Sequence, residues 1–209
     1  GRDLRAQRLP ESVLRLGLSR AMEVRFLTAG YERASDRRAP NAPRTGAFQD
    51  WGFGLKWAAR KESRYLPTVT LSPMSYFPHG TLSARAMSAD ARIILEKTLP
   101  LEFQAGANLL PGFSRGVEGT VGRSGYTVSL QRPAADWLDV FIEWYQMRTF
   151  DVLSPTERVL DAGVSGELGE EVRWDVSVGT GVGVPGSRWF VSFGIAFRGR
   201  APHWGLTEK

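Results

Sequence analysis

VRWDVSVGTGVGVPGSRWFVSFGIAF, spanning Val172–Phe197, carries the pattern from which the fold can be read. In its first part Val172, Trp174, Val176 and Val178 alternate with Arg173, Asp175, Ser177 and Gly179. In its last part Trp189, Val191, Phe193, Ile195 and Phe197 alternate with Phe190, Ser192, Gly194 and Ala196. Successive side chains of a strand point to opposite faces, so a period of two predicts two strands, each with an apolar face and a polar or small face. The Gly- and Pro-bearing link between them predicts a hairpin.

The same alternation recurs along the rest of the chain. Leu14, Leu16 and Leu18 oppose Val13, Arg15 and Gly17 in Ser12–Ser19, and Met22, Val24 and Phe26 oppose Glu23, Arg25 and Leu27 in Met22–Arg33. Trp51, Phe53, Leu55 and Trp57 oppose Gly52, Gly54 and Lys56. Tyr65–Phe77 sets Val69 and Leu71 against Thr68, Thr70 and Ser72, and Asp90–Lys97 sets Ile93 and Leu95 against Arg92 and Glu96. Leu101–Leu109 sets Phe103 against Glu102 and Gln104. Further strands are predicted at Tyr126–Gln131, Trp137–Phe150 and Val159–Gly166, with Asp139, Glu143 and Asp161 on their polar faces. With the hairpin, eleven strands are expected.

Composition narrows the class. A single large β domain fits 209 residues. There is no cysteine, so neither disulfides nor thiolate chemistry enter. The two histidines, His79 and His203, are far apart, which argues against a histidine-rich metal site, and no cofactor is expected. A net charge of +5 and a pI near 9.9 would suit nucleic acid, but the arginines are scattered and form no aromatic-basic module, so nucleic-acid binding is not expected. No apolar run approaches the ~18 residues of a membrane helix, whereas a transmembrane strand needs only about ten alternating residues.

The connections point to a membrane. Short turns are predicted near Arg20, Lys61, Leu99, Ala135 and Gly169, and longer loops near Arg38, Ser83, Ser114, Pro155 and Pro185. This asymmetry is that of an outer-membrane barrel, with short periplasmic turns and longer outer loops. A soluble barrel or sandwich would need polar outer faces, but the polar faces here are rich in Gly, Ser, Thr and Ala, while Trp, Leu, Val and Phe recur on the apolar ones. Turned to lipid, the apolar faces form a band that a closed barrel carries without unpaired backbone groups. Two aromatic girdles are expected: Trp51, Tyr76, Phe77, Phe150 and Trp189 by the long loops, and Trp57, Tyr65, Trp137, Trp174 and Phe197 by the short turns. The fold class is therefore all-β, an antiparallel transmembrane up-and-down barrel over residues 1–198, with Gly199–Lys209 as a periplasmic tail. Single-chain bacterial barrels have even strand numbers, so a twelfth strand is expected ahead of Gly1, or else a barrel of ten.

The segments Leu14–Phe26, Asp50–Trp57, Leu66–Thr81 and Leu160–Gly183, with the closing Trp189–Arg198, give the chain a resemblance. It resembles the MetA-pathway of phenol degradation family of outer-membrane proteins. The resemblance implies passage of small aromatic or hydrophobic compounds through the outer membrane of a Gram-negative-type bacterium.

The polar faces supply the candidate pathway residues: Arg15, Glu23, Arg25, Lys56, Arg92, Glu96, Glu102, Asp139, Glu143, Asp161, Arg173 and Asp175. Both signs are interleaved along the sequence, which suits either an ion-pair network closing a narrow lumen or a selective passage for a polar or anionic group. Two other classes have some support in the sequence. A membrane hydrolase would need His79 beside Ser75 or Ser83, and a rim histidine is more often unrelated to catalysis. A structural anchor would use loop arginines Arg33, Arg37, Arg38, Arg44 and Arg115 on anionic headgroups, with outer-membrane lipid and lipopolysaccharide as partners. The tail, with Trp204, or the loops would then dock a protein partner.

Overall fold

A computed structural model describes residues 4–8, 12–28, 30–36, 45–48, 50–78, 87–116, 119–150, 156–169, 171–183 and 189–199. Their strands, in chain order, are β1 (Leu4–Arg8), β2 (Ser12–Gly17), β3 (Met22–Thr28), β4 (Tyr31–Asp36), β5 (Thr45–Phe48), β6 (Trp51–Arg60), β7 (Thr68–Phe77) and β8 (Ser88–Thr98). There follow β9 (Gln104–Leu109), β10 (Gly112–Gly116), β11 (Gly119–Ala135), β12 (Leu138–Thr149), β13 (Glu157–Leu168), β14 (Val172–Gly181) and β15 (Trp189–Phe197). A 3-10 turn, Pro100–Glu102, joins β8 to β9. No helix among the described residues is long and apolar enough to cross a membrane.

Twelve strands make one sheet in the order β15-β14-β13-β12-β11-β10-β8-β7-β6-β3-β2, with β9 pairing β8 and β11. Since β10 also pairs β8 and β11, β9 and β10 share one place. The backbone bonds Leu110 N to Gly125 O at 2.9 Å and Ala91 N to Pro111 O at 2.9 Å run through the gap. Proline has no N–H to donate, and the ladder is broken where Pro111 falls. The eleven predicted strands correspond one for one to these places. The further strand expected ahead of Gly1 concerns residues outside this sequence.

Three predicted boundaries are corrected. The stretch read as a long loop around Ser114 is the hairpin β10–β11, its ladder paired out to Gly116 and Gly119. The strand predicted from Leu101 begins at Gln104, because Leu101 and Glu102 take positive φ angles of 61° and 62° in the turn. The strand predicted over Met22–Arg33 is two segments, β3 and β4. β4 pairs with β1 and β5 in a separate three-stranded sheet. Its register continues the main one: Arg8 pairs with Glu32 and Ser12 with Thr28, so no residue is gained or lost between the ladders. β3–β6 and β4–β5 are related in the same way, with Met22 opposite Trp57 and Tyr31 opposite Phe48.

The burial pattern inverts that of a water-soluble protein. Thr70, Ser72, Thr127, Ser165 and Ser177 are buried, Ser72 leaving 1% of its surface accessible. Trp189, Val191 and Phe193 are exposed at 74%, 63% and 66%. A contiguous apolar surface is costly in water and is carried where lipid or another protein covers it. Along β6 and β14 exposed apolar residues alternate with buried small or polar ones, giving these strands one apolar and one polar face.

Candidate functional site

The chain falls into two compact units: residues 1–97, 106–127 and 146–156 form the first, and 98–105, 128–145 and 157–209 the second. Each presents its own stretch of polar face.

In the first unit the registers align one row of polar-face positions across the sheet. Arg15 pairs with Arg25, Arg25 with Gly54, Gly54 with Met74, Met74 with Asp90, Asp90 with Gly112, and Gly112 with Arg123. Arg25 Nε donates to Glu23 Oε1 at 2.7 Å, two residues away on the same face. Arg123 Nη2 donates to Asp90 Oδ2 at 3.1 Å, reaching over Gly112. A Cβ on Gly112 would stand 3.2 Å from Arg123 Nε and 3.0 Å from Asp90 Cβ, so glycine keeps that bridge open. Tyr76 brings its hydroxyl within hydrogen-bonding reach of Asp90. Asp90 Oδ1 is buried without a hydrogen-bond partner. In the adjacent row Gly17 pairs with Glu23, and Glu23 with Lys56. Arg92, opposite Ser72, and Glu96, opposite Thr68, continue the polar face along β8. Among the described residues Arg15, Lys56 and Arg92 make no ion pair or side-chain hydrogen bond.

In the second unit Gln131 Nε2 donates to Asp139 Oδ2 at 2.7 Å. Asp161, Ser165 and Glu167 on β13 face Gly179, Asp175 and Arg173 on β14, and Asp175 lies against Gly194 of β15. Here rings fill the space above glycines: Phe141 covers Gly163, and Phe190 covers Gly179. In the first unit Met74 does the same over Gly54.

Of the predicted pathway residues, Arg15, Glu23, Arg25, Lys56, Arg92 and Glu96 thus share the polar face of the first unit, and Asp139, Glu143, Asp161, Arg173 and Asp175 that of the second. Glu102 is the exception, being exposed in the turn before β9. Tyr76, expected in the aromatic girdle, is on the polar face instead, because its pairing with Gly52 and Ser88 puts it in phase with Thr70 and Ser72. Asp90 and Arg123 were missed. Carrying the alternation of Arg92 back to Asp90, and that of Thr127 back to Arg123, would have found both.

The interleaved signs of the sequence sort by unit. Arg15, Arg25, Lys56, Arg92 and Arg123 outnumber Glu23, Asp90 and Glu96 in the first, while Asp139, Glu143, Asp161, Glu167 and Asp175 outnumber Arg173 in the second. His79, Ser83, Arg37, Arg38, Arg44, His203 and Trp204 lie outside the described residues, as does most of the tail. Arg33 is in β4, Arg115 is exposed on β10, and Ser75 pairs with Phe53 on the apolar face. Among the described residues no group of three or more His, Cys, Asp or Glu could hold a metal ion.

Solved structures share this architecture. An outer-membrane channel from Pseudomonas putida F1 superposes with a TM-score of 0.62 at 11% identity, covering 93% of this chain and 83% of that one. The transport unit of the autotransporter AIDA-I from Escherichia coli superposes with a TM-score of 0.50 at 11% identity, covering 93% of this chain and 81% of that one. No family model and no curated protein matches the chain. The likeness establishes the fold alone: an all-β, antiparallel β-barrel, the architecture of these two outer-membrane proteins.

Proposed function

We propose that this protein is an outer-membrane channel for small compounds, with a water-filled and charged lumen. The observation that carries the reading is that Arg15, Lys56 and Arg92 stand on the polar face of the sheet without counter-ions among the described residues, the face that a channel turns to its lumen. An isolated charge in a dry interior costs many kcal/mol, and a barrel sealed by its own side chains would have to neutralise such groups. Glycine, serine and threonine beside them keep the wall low, which leaves room for solvent and solute. The resemblance of Leu14–Phe26 and Leu160–Gly183 to the MetA-pathway family supports small aromatic or hydrophobic cargo, and the lumenal Phe141 and Phe190 offer such cargo an apolar surface. The site of action is the outer membrane, with lipid and lipopolysaccharide around the apolar band.

A second reading, a plugged barrel serving as an anchor for a protein partner, has its own support. Met74, Phe141 and Phe190 fill space over wall glycines and narrow the interior. Liposome swelling separates the two. Vesicles holding the folded protein should swell in isosmotic small solutes under the channel reading, and a plugged barrel leaves them unchanged.

A further inference from the structure

We infer that the open floor at Gly17, framed by Arg15, Glu23, Arg25 and Lys56, is a binding subsite for the carboxylate group of a small solute. The inference deepens the channel reading and rests on it for the solute's access to the lumen.

The patch occupies two adjacent rows of β2, β3 and β6. Arg15 stands directly opposite Arg25, while Glu23 stands opposite both Gly17 and Lys56. Residues directly opposite in a strand pair are ~5 Å apart, and like charges in that relation destabilise a sheet. Glu23 offsets the crowding in part, since its carboxylate accepts from Arg25 Nε at 2.7 Å. The Arg25 Nη groups, the Arg15 guanidinium and the Lys56 ammonium have no partner among the described residues. Three cations therefore surround one acid.

Space is available on one side of Arg25 and not on the other. A Cβ built on Gly54, in the row of Arg25, would run into the Met74 side chain and the Pro73 carbonyl. A Cβ on Gly17 would meet nothing within 4 Å. An anion placed over Gly17 can thus reach Arg15 and the free edge of Arg25 together. Guanidinium groups offer paired N–H donors that match the two oxygens of a carboxylate, and such charge-assisted bonds are about twice as strong as neutral ones. Glu23 on the same row repels additional negative charge, so a singly charged carboxylate fits better than a doubly charged phosphate. A cationic solute meets the net positive charge of the patch.

The test is benzoate titrated calorimetrically into the full chain folded in detergent, with heat-modifiable migration on gels confirming the fold of each variant. Benzoate should bind, and Arg15→Gln should weaken it about tenfold or more, the effect of losing one charge-assisted contact. Gly17→Val fills the floor without removing charge and should weaken binding to a similar extent. Arg115→Gln, an exposed arginine on β10 outside the patch, should leave it unchanged. No benzoate binding by the parent overturns the inference, as does unchanged affinity in folded Arg15→Gln and Gly17→Val proteins. Inorganic phosphate displacing benzoate at lower concentration overturns the carboxylate assignment. Benzoate binding as described without solute flux sinks the channel reading and leaves the subsite standing, and flux without benzoate binding sinks the subsite alone.

Discussion

The polar faces of the two units are built on one pattern and differ in what they place on it. In the first, arginine and lysine outnumber acids around Arg15, Arg25, Lys56, Arg92 and Arg123, and the wall glycines Gly54 and Gly52 are covered by Met74, joined over Gly52 by the ring of Tyr76. In the second, Asp139, Asp161, Glu167 and Asp175 dominate, and the covers are the rings of Phe141 and Phe190. The alternation of a strand decides only which residues face inward. It leaves their charge free, so one unit's polar face can be basic and the other's acidic.

The contrast can be broken at its glycines first. Gly163 is hemmed in by the Val176 carbonyl, the Phe141 ring and Ser177, whereas Gly17 is open. Gly163→Val should cost at least about 3 kcal/mol or prevent folding, an overpacking effect made worse by a backbone obstacle. The same change at Gly17 should stay within about 0.5 kcal/mol. Urea unfolding in detergent or lipid vesicles measures both, and equal costs would show that the two walls are not packed differently.

Next in size is the Asp90–Arg123 bridge over Gly112. Arg123→Ala removes the cation from the Asp90 carboxylate in a partly buried setting, Asp90 being 17% and Arg123 35% exposed, and should cost about 1–2 kcal/mol. Removing both partners as Asp90→Asn with Arg123→Gln should recover part of that loss. A double-mutant cycle with no coupling would remove the bridge from the account. The smallest effect is expected at Glu102, held at a φ of 62° in the turn. Glu102→Gly should stabilise the barrel by less than about 1 kcal/mol, since glycine adopts that region without a side-chain penalty but loses more entropy on folding.

Most of the fold was legible because a sheet with one apolar and one small or polar face imposes the same period of two on its strands. Trp51–Trp57 shows it without interruption, and Trp189–Phe197 shows it with Phe190 as the exception. What escaped depended on pairing rather than on pattern. Leu110–Gly122 reads as a glycine-rich loop, and only the bonds of Gly112–Gly116 to β8 and β11 make that part strand. Glu102 alternated correctly with Phe103, yet a left-handed turn took it out of the strand. The same limits applied to the site. Polar-face charges could be named from their phase, but that Arg15 stands opposite Arg25, or that Arg123 crosses Gly112 to Asp90, follows from the register of the strands.

Planar-bilayer recording under a KCl gradient tests the central claim, a wet lumen with unpaired wall charges, most directly. The folded protein should give stepwise conductance. Its reversal potential should move toward cation preference in Lys56→Glu and Arg92→Glu, and toward anion preference in Asp161→Lys, because each variant changes the sign of a charge on one wall. A folded, inserted barrel that gives no steps, or steps indifferent to all three substitutions, would contradict the account.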